Sequence, residues 1–396
     1  MSEQVYNKKQ KKHVRYMLFT CVANFLIYGL SVLFNNITVY LKGCGYSDVQ
    51  LGILLAVGPF VALVAPLFWG MMSDRARYKN NVLLIAIFCS AAAFVGIQLH
   101  VSMLYHAVML GVVMFFLSSQ CSLIDTITME YTRLAQTPYG PIRVLGTVGF
   151  GVISILSMLV SERSAQLFFY LYAAIAVICI VSLKFMPQVE GHSQRGDKIS
   201  LKVLLKNKTL LLLCLFMGIG HFLYGCFISF YPNYLIYDLG KPQYIWGITI
   251  CLTCFGEIPF FFAFDKLMRK LNIKTILIIS LSLTVIRYLC FSMSFAAETL
   301  PLFLISLLTG LVPTIGTYCG SYYILHTIPE NMVASAQTFL YSVAFWFPRL
   351  LASLLGGIVN DAFGIQNTML LCTILAFLSV MMLLFVKKKQ FYVGKT

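Results

Sequence analysis

Five ionisable residues stand in or between long apolar runs. Asp125 and Arg143 lie in residues 121–151, CSLIDTITMEYTRLAQTPYGPIRVLGTVGFG, with apolar sequence on both sides. Glu257 lies in CFGEIPF, Arg287 in VIRYLC and Arg349 in FPRLL. A charge at the centre of a bilayer costs roughly 2.5–3.5 kcal/mol on insertion scales, so such residues mark pathways or specific pairs. A carboxylate there can take up and release a proton. A guanidinium fork can grip a carboxylate or hydroxyl oxygens. For the 121–151 hairpin two readings are open. Asp125 and Arg143 can face a polar cavity, or Arg143 can anchor at the headgroups with Asp125 as its neutralising neighbour.

The elements that must carry these residues are membrane spans. Hydrophobic residues make up 59% of the 396-residue chain and charged residues 11%, against roughly 25% charged in soluble domains. The length allows about twelve spans of about 20 residues. They are expected at 16–40, 47–71, 81–99, 103–132, 142–161, 165–186, 209–235, 243–264, 274–296, 300–325, 334–359 and 366–386. Tyr139, Gly140 and Pro141 are expected to break the helix between the two arms of the hairpin. The first span follows Lys8, Lys9, Lys11, Lys12 and Arg15. It is too long for a signal-peptide core.

Basic residues fall in alternate loops: Arg75, Arg77 and Lys79; Arg133; Lys184 to Lys208; Lys266 to Lys274; Lys387 to Lys389. The opposite loops hold Lys42, Arg163 and Lys241. That asymmetry predicts a plasma-membrane protein with both termini in the cytoplasm. The net charge of +15 follows from this anchoring and calls for no nucleic acid. The 12 cysteines lie mostly in apolar runs, so no disulfide framework is expected. Cys251 and Cys254 form C-x-x-C inside an apolar helix, where packing is the expected role.

Residues 187–207, QVEGHSQRGDKISLKVLLKNK, form the long polar stretch near mid-chain. They divide the chain into an N-terminal six-helix bundle, 1–186, a cytoplasmic linker, 187–207, and a C-terminal six-helix bundle, 208–396. Tyr40-Leu41 followed by Gly45 and Gly52 is echoed by Tyr234-Leu235 followed by Gly240 and Gly247. Phe25-Leu26 then Tyr28-Gly29 is echoed by Phe222-Leu223-Tyr224-Gly225. Such echoes suit two parallel repeats of a secondary transporter.

Between spans two and three stands WGMMSDRARYKN, in which Gly70, Asp74 and Arg75 give G-x-x-x-D-R. The glycine permits close helix approach, and the acid can meet a helix N-terminus or a base. This pattern suits a latch that holds one access state. A degenerate copy, with Phe261 in the glycine position and Asp265-Lys266 after it, follows span eight.

In this loop the chain resembles the major facilitator superfamily, and the resemblance covers essentially its whole length. YGPIRVLGTVGFG, with a carboxylate eighteen positions before its arginine, resembles the lactose permease and phenylpropionate permease branch. The resemblance implies twelve helices in two pseudo-symmetric six-helix bundles. It places Asp125, Arg143, Glu257 and Arg287 at charged cavity positions, and it implies proton-coupled import of a sugar or small organic acid. One departure bears on coupling. Span ten, LLTGLVPTIGTYCGSYYIL, has neither the histidine nor the acid that such proteins use for protons; span seven offers His221 and Tyr224.

The expected function is therefore secondary active transport of a small organic solute, a sugar or oligosaccharide or an aromatic or organic acid. In this reading Arg143 contacts the solute and Asp125 orients it. Asn24 and His221 add polar contacts, and Arg349 attracts a carboxylate. Glu257 exchanges the proton under the influence of Arg287. The proton gradient is the energy source, with no cofactor and no metal; the partners are solute, proton and lipid, and the chain acts as a monomer. The alternatives are a uniporter or exporter of the same fold, or a non-transporting membrane sensor. A membrane enzyme is disfavoured, because neither a nucleotide loop nor a nucleophile with its base is evident.

Overall fold

The computed structural model describes residues 3–190, 201–310, 312–387 and 391, without the side chains of residues 3–13, 201–203 and several positions in 261–269, 312–314 and 330–335. The middle of the expected linker, 191–200, and the side chain of Asp265 lie outside the described residues.

The chain is helical almost throughout. Among the described residues, nine stretches are long and apolar enough to cross a membrane. The last, Ala336–Phe385, is two arms about Gly364, whose φ of 76° and ψ of 168° break the helix. Glycine adopts that conformation without steric cost. With Gln243–Lys270, and with Thr299–Thr309 followed by Val312–Thr327, these make the expected twelve crossings.

Local chemistry sets the boundaries. Ser47 caps the helix Asp48–Ala62 with a capping box through Gln50. Ser102, Ser164, Asn207 and Asn272 accept backbone N–H bonds at four further starts. The hairpin break differs from the sequence expectation. The first arm ends at Ala135, with Gln136 left-handed at φ 54°. The second arm begins at Tyr139, with Pro138 before it. Gly140 and Pro141 thus sit in the first turn of the second arm, where proline's missing N–H breaks no helical bond.

Two compact units are present: Met1–Ile37 with Val64–Gln194, and Thr38–Leu63 with Arg195–Thr396. In the first, Glu3–Asn35 packs on Tyr139–Arg163. There a Cβ on Gly149 would lie 2.1 Å from the Phe25 carbonyl oxygen, so the glycine lets the backbones touch. At the basic end Lys79 pairs with Glu130. The Lys79 N–H donates to the Val189 carbonyl at 2.8 Å, and the Val189 N–H to Asn80 Oδ1 at 3.0 Å. The start of the linker is thereby strapped to this unit.

The second unit includes Thr38–Leu63 from early in the chain. Thr38 donates to the Ser229 carbonyl at 2.8 Å, and Asn360 Nδ2 to Asp48 Oδ2 at 2.7 Å. Gly256 and Gly310 bring Gln243–Lys270 against the helix after Thr299, each with its missing Cβ near a carbonyl of the other.

Gly149→Ala should cost about 1–3 kcal/mol, because neither backbone can yield. Melting temperature in detergent checks this. Gly140→Ala, with open space where the Cβ would go, should leave the temperature unchanged.

Candidate functional site

Each unit carries its own cluster of charged residues. In the first, the helix Gln120–Ala135 supplies Asp125, Tyr139–Arg163 supplies Arg143, and Glu3–Asn35 supplies Asn24 and Tyr28. Tyr28 donates its hydroxyl to Asp125 Oδ2 at 2.8 Å. Arg143 Nε lies 3.5 Å from Asp125 Oδ1, and the guanidinium carbon sits 4.2 Å from the centre of the Tyr28 ring. The two charged side chains are each 26% exposed. They are neither sealed in the core nor spread on the surface, which suits groups that can meet a solute.

Gly146, one turn beyond Arg143, makes room for this arrangement. A Cβ there would lie 2.6 Å from the Tyr28 ring. Beside the cluster, Asn24 donates from Nδ2 to Thr128 Oγ1 at 2.9 Å and to the Thr20 carbonyl, while its Oδ1 is buried without a hydrogen-bond partner. Asn24 thus makes the interhelical bond and keeps one acceptor in reserve. Tyr28 is the residue that sequence reasoning missed. Its only signal was the echo of Phe25-Leu26 and Tyr28-Gly29 in Phe222-Leu223-Tyr224-Gly225, which pointed to symmetry instead of chemistry.

In the second unit, Arg287 on Ile273–Ser292 is fully buried. It donates from Nη1 to the Thr309 carbonyl at 2.9 Å and to Thr309 Oγ1 at 3.1 Å. Its Nε and Nη2 are buried without hydrogen-bond partners. The guanidinium lies 5.1 and 5.3 Å from the ring centres of Phe227 and Phe291. Arg349 sits 4.3 Å from the centre of Phe345 and 5.1 Å from Tyr224, with its Nε buried and unpartnered. The ring of His221 is 4.4 Å from Phe345, and its Nε2 is 3.1 Å from Thr317 Oγ1. Glu257, half-buried on Gln243–Lys270, lies within electrostatic reach of Arg287 and Tyr224.

All three membrane arginines thus rest on aromatic faces. A desolvated guanidinium gains about 2 kcal/mol from such a face, which offsets part of the cost of burial. Phe227 and Phe291, which flank Arg287, are themselves buried. A signal was present: Phe291 follows Arg287, and Phe345 precedes Arg349, by four residues.

The latch residues stand apart. Gly70, Asp74 and Arg75 end the helix Ala65–Arg75, with Asp74 and Arg75 exposed. Among the described residues a Cβ on Gly70 would meet open space. Among the described residues no ion pair engages Asp74. No group of His, Cys, Asp or Glu side chains able to hold a metal occurs among the described residues.

The MFS_1 like family matches residues 19–386. The chain belongs to this family of the major facilitator superfamily. It is similar to an uncharacterized transporter, YwbF, of Bacillus subtilis, with 24% identity over 92% of both chains. It is similar to a maltose permease of Geobacillus stearothermophilus, 23% identical over 94% of both. A xanthosine permease of Escherichia coli is 21% identical over 81% of this chain and 82% of its own. Among solved structures, a point mutant of the nucleoside transporter NupG superposes with a TM-score of 0.83 at 17% identity, covering 95% of this chain and all of that one. A bacterial homolog of the human lysosomal transporter Spinster gives 0.73 at 14%, covering 95% and 97%. The chain is thus a multi-pass membrane transporter, not an enzyme.

Tyr28→Phe keeps the ring under Arg143 but removes the donor to Asp125. Solute binding should weaken about three- to tenfold, the 0.5–1.5 kcal/mol of one hydrogen bond. Equilibrium binding of a transported solute to purified protein checks this.

Proposed function

We propose that this transporter is a proton-coupled symporter that imports a small, hydroxyl-rich organic solute by alternating access. The observation that carries the reading is the Tyr28–Asp125–Arg143 cluster. A half-buried carboxylate and a guanidinium side by side offer acceptors and donors to neighbouring hydroxyls without net charge. That chemistry suits a sugar or nucleoside better than an organic acid. The substrates of the relatives, maltose and xanthosine, and the nucleosides of the structural neighbour point the same way. Within the second unit, Arg349 and His221 both lie against the Phe345 ring and offer donors beside a flat apolar surface.

Glu257 is the proposed proton-exchange site. It is the carboxylate among apolar neighbours in CFGEIPF, and Arg287 is near enough to balance the carboxylate when the proton leaves. Gly70, Asp74 and Arg75 are proposed to act in an access state in which they find partners. A plasma-membrane location is proposed, and the lysine and arginine asymmetry supports cytoplasmic termini. The protein is proposed to act as a monomer, with the proton gradient in place of any cofactor.

The test is uptake into proteoliposomes of maltose, xanthosine, other nucleosides and an aromatic acid, with and without an inward pH gradient. Gradient-stimulated uptake of a sugar or nucleoside is expected. Uptake indifferent to the gradient would make the protein a uniporter, and binding without uptake would make it a sensor.

Two variants refine the reading. Arg143→Lys loses the planar fork and should weaken binding of the transported solute by about tenfold or more, on the order of 1.4 kcal/mol. Unchanged binding would leave Arg143 as a headgroup anchor. Glu257→Gln mimics the protonated side chain. It should abolish uphill accumulation and spare solute exchange, measured on the same vesicles. Loss of both would make Glu257 a binding or structural residue.

A further inference from the structure

Span four is not continuous. It runs as Met103–Leu117 and Gln120–Ala135, broken at Ser118–Ser119. In an unbroken helix the Phe115 carbonyl would take the N–H of Ser119. Here it accepts the indole Nε1–H of Trp69 at 2.7 Å. Trp69 is buried, its ring 5.6 Å from Phe115 and 5.4 Å from Phe116. A side chain that inserts into the backbone ladder is a known cause of helix kinks.

The second half of span four is clamped at its first residue. Gln120 is fully buried and donates from Nε2 to the Ala86 carbonyl at 3.1 Å and to Ser90 Oγ at 2.8 Å. Asp125 lies five residues further along the same half-helix. The break also holds Ser118 Oγ, Ser119 Oγ and Gln120 Oε1, all buried without hydrogen-bond partners. These polar atoms can take new partners in a different local arrangement.

Trp69 immediately precedes Gly70 on Ala65–Arg75. Open space faces Gly70, and Asp74 and Arg75 are exposed. Trp69 is therefore the buried, hydrogen-bonded residue of a helix whose Asp74 and Arg75 are exposed. Span two is itself broken after Ala62, and its halves fall in different compact units. A change that engages Gly70 and Asp74 must either carry the indole with it or break its bond to Phe115.

We propose that Trp69 is a positioning residue which couples the Gly70–Asp74 segment to the half-helix bearing Asp125, through its bond to the Phe115 carbonyl at the break in span four. The coupling makes the state of the latch felt at Asp125, and by reciprocity solute bound at Asp125 biases the latch. Its functional meaning rests on the transporter reading of the Asp125 cluster, but its test needs no solute.

Cys121 follows Gln120 and touches Ser31 Oγ at 3.2 Å, so its thiol reports the position of the half-helix. The experiment measures alkylation of Cys121 by N-ethylmaleimide in the full-length protein in membranes, read on the Cys121 peptide by mass spectrometry. Four proteins are compared: wild type, Asp74→Asn, Trp69→Phe and the double variant. Asp74→Asn is expected to change the Cys121 rate by about fivefold or more, the lower end of ordinary coupling. Trp69→Phe, which keeps an aromatic ring but no donor, is expected to abolish that response. A merely structural Trp69 would alter the rate itself and leave the response to Asp74→Asn intact, which overturns the proposal. So does an Asp74→Asn variant that leaves Cys121 unchanged in the wild-type background. Should Trp69→Phe fail to fold, Gln120→Met cuts the same link beyond the break. It is expected to suppress the response, and an undiminished response again overturns the coupling.

Discussion

The costliest feature of this molecule is the guanidinium charge placed inside apolar helices. Arg143, Arg287 and Arg349 cannot all be neutralised by the two membrane carboxylates, Asp125 and Glu257. The fold meets the deficit with aromatic faces, one or two per arginine. This choice shapes the helices around it. Gly146 has no side chain because Tyr28 must lie there under Arg143. Phe227 is packed between Trp246 and Phe291 and presents a fixed face to Arg287. An arginine held by aromatic rings keeps its charge and many of its donors. A buried ion pair would have spent them on its own partner.

The two clusters differ in how they use this device. The first is a neutral pair, partly open, with a tyrosine that binds the acid through its hydroxyl and the base through its ring. The second holds two arginines and one acid, and Arg287 is sealed against Thr309. A neutral, open pair is suited to recognition. A sealed arginine within electrostatic reach of a half-buried glutamate is suited to changing its field when helices move.

Much of this was legible in the sequence, for reasons that follow from distance along the chain. Apolar runs located the spans, and charge location singled out Asp125, Arg143, Glu257, Arg287 and Arg349. Phe291 and Phe345, four residues from their arginines, were readable in principle. What was hidden depends on contacts far apart in sequence: Tyr28 with Asp125, Arg287 with Thr309, Trp69 with Phe115. Breaks within spans were hidden too. Ser118–Ser119 is apolar enough in context to pass for helix, and its break coincides with an indole from another span. The hairpin was misplaced by three residues because proline breaks a helix in mid-course but begins one readily. Thr38–Leu63 packs in the second unit through bonds to Ser229 and Asn360 that no local pattern announces.

The central claim is that the aromatic-supported charges of the first cluster hold the transported solute. The position of that solute in an experimental structure of the complex tests it most directly. The account predicts solute oxygens within hydrogen-bond distance of Asp125 or Arg143. A transported solute found out of reach of both, with the Tyr28–Asp125–Arg143 contacts unchanged, would contradict it.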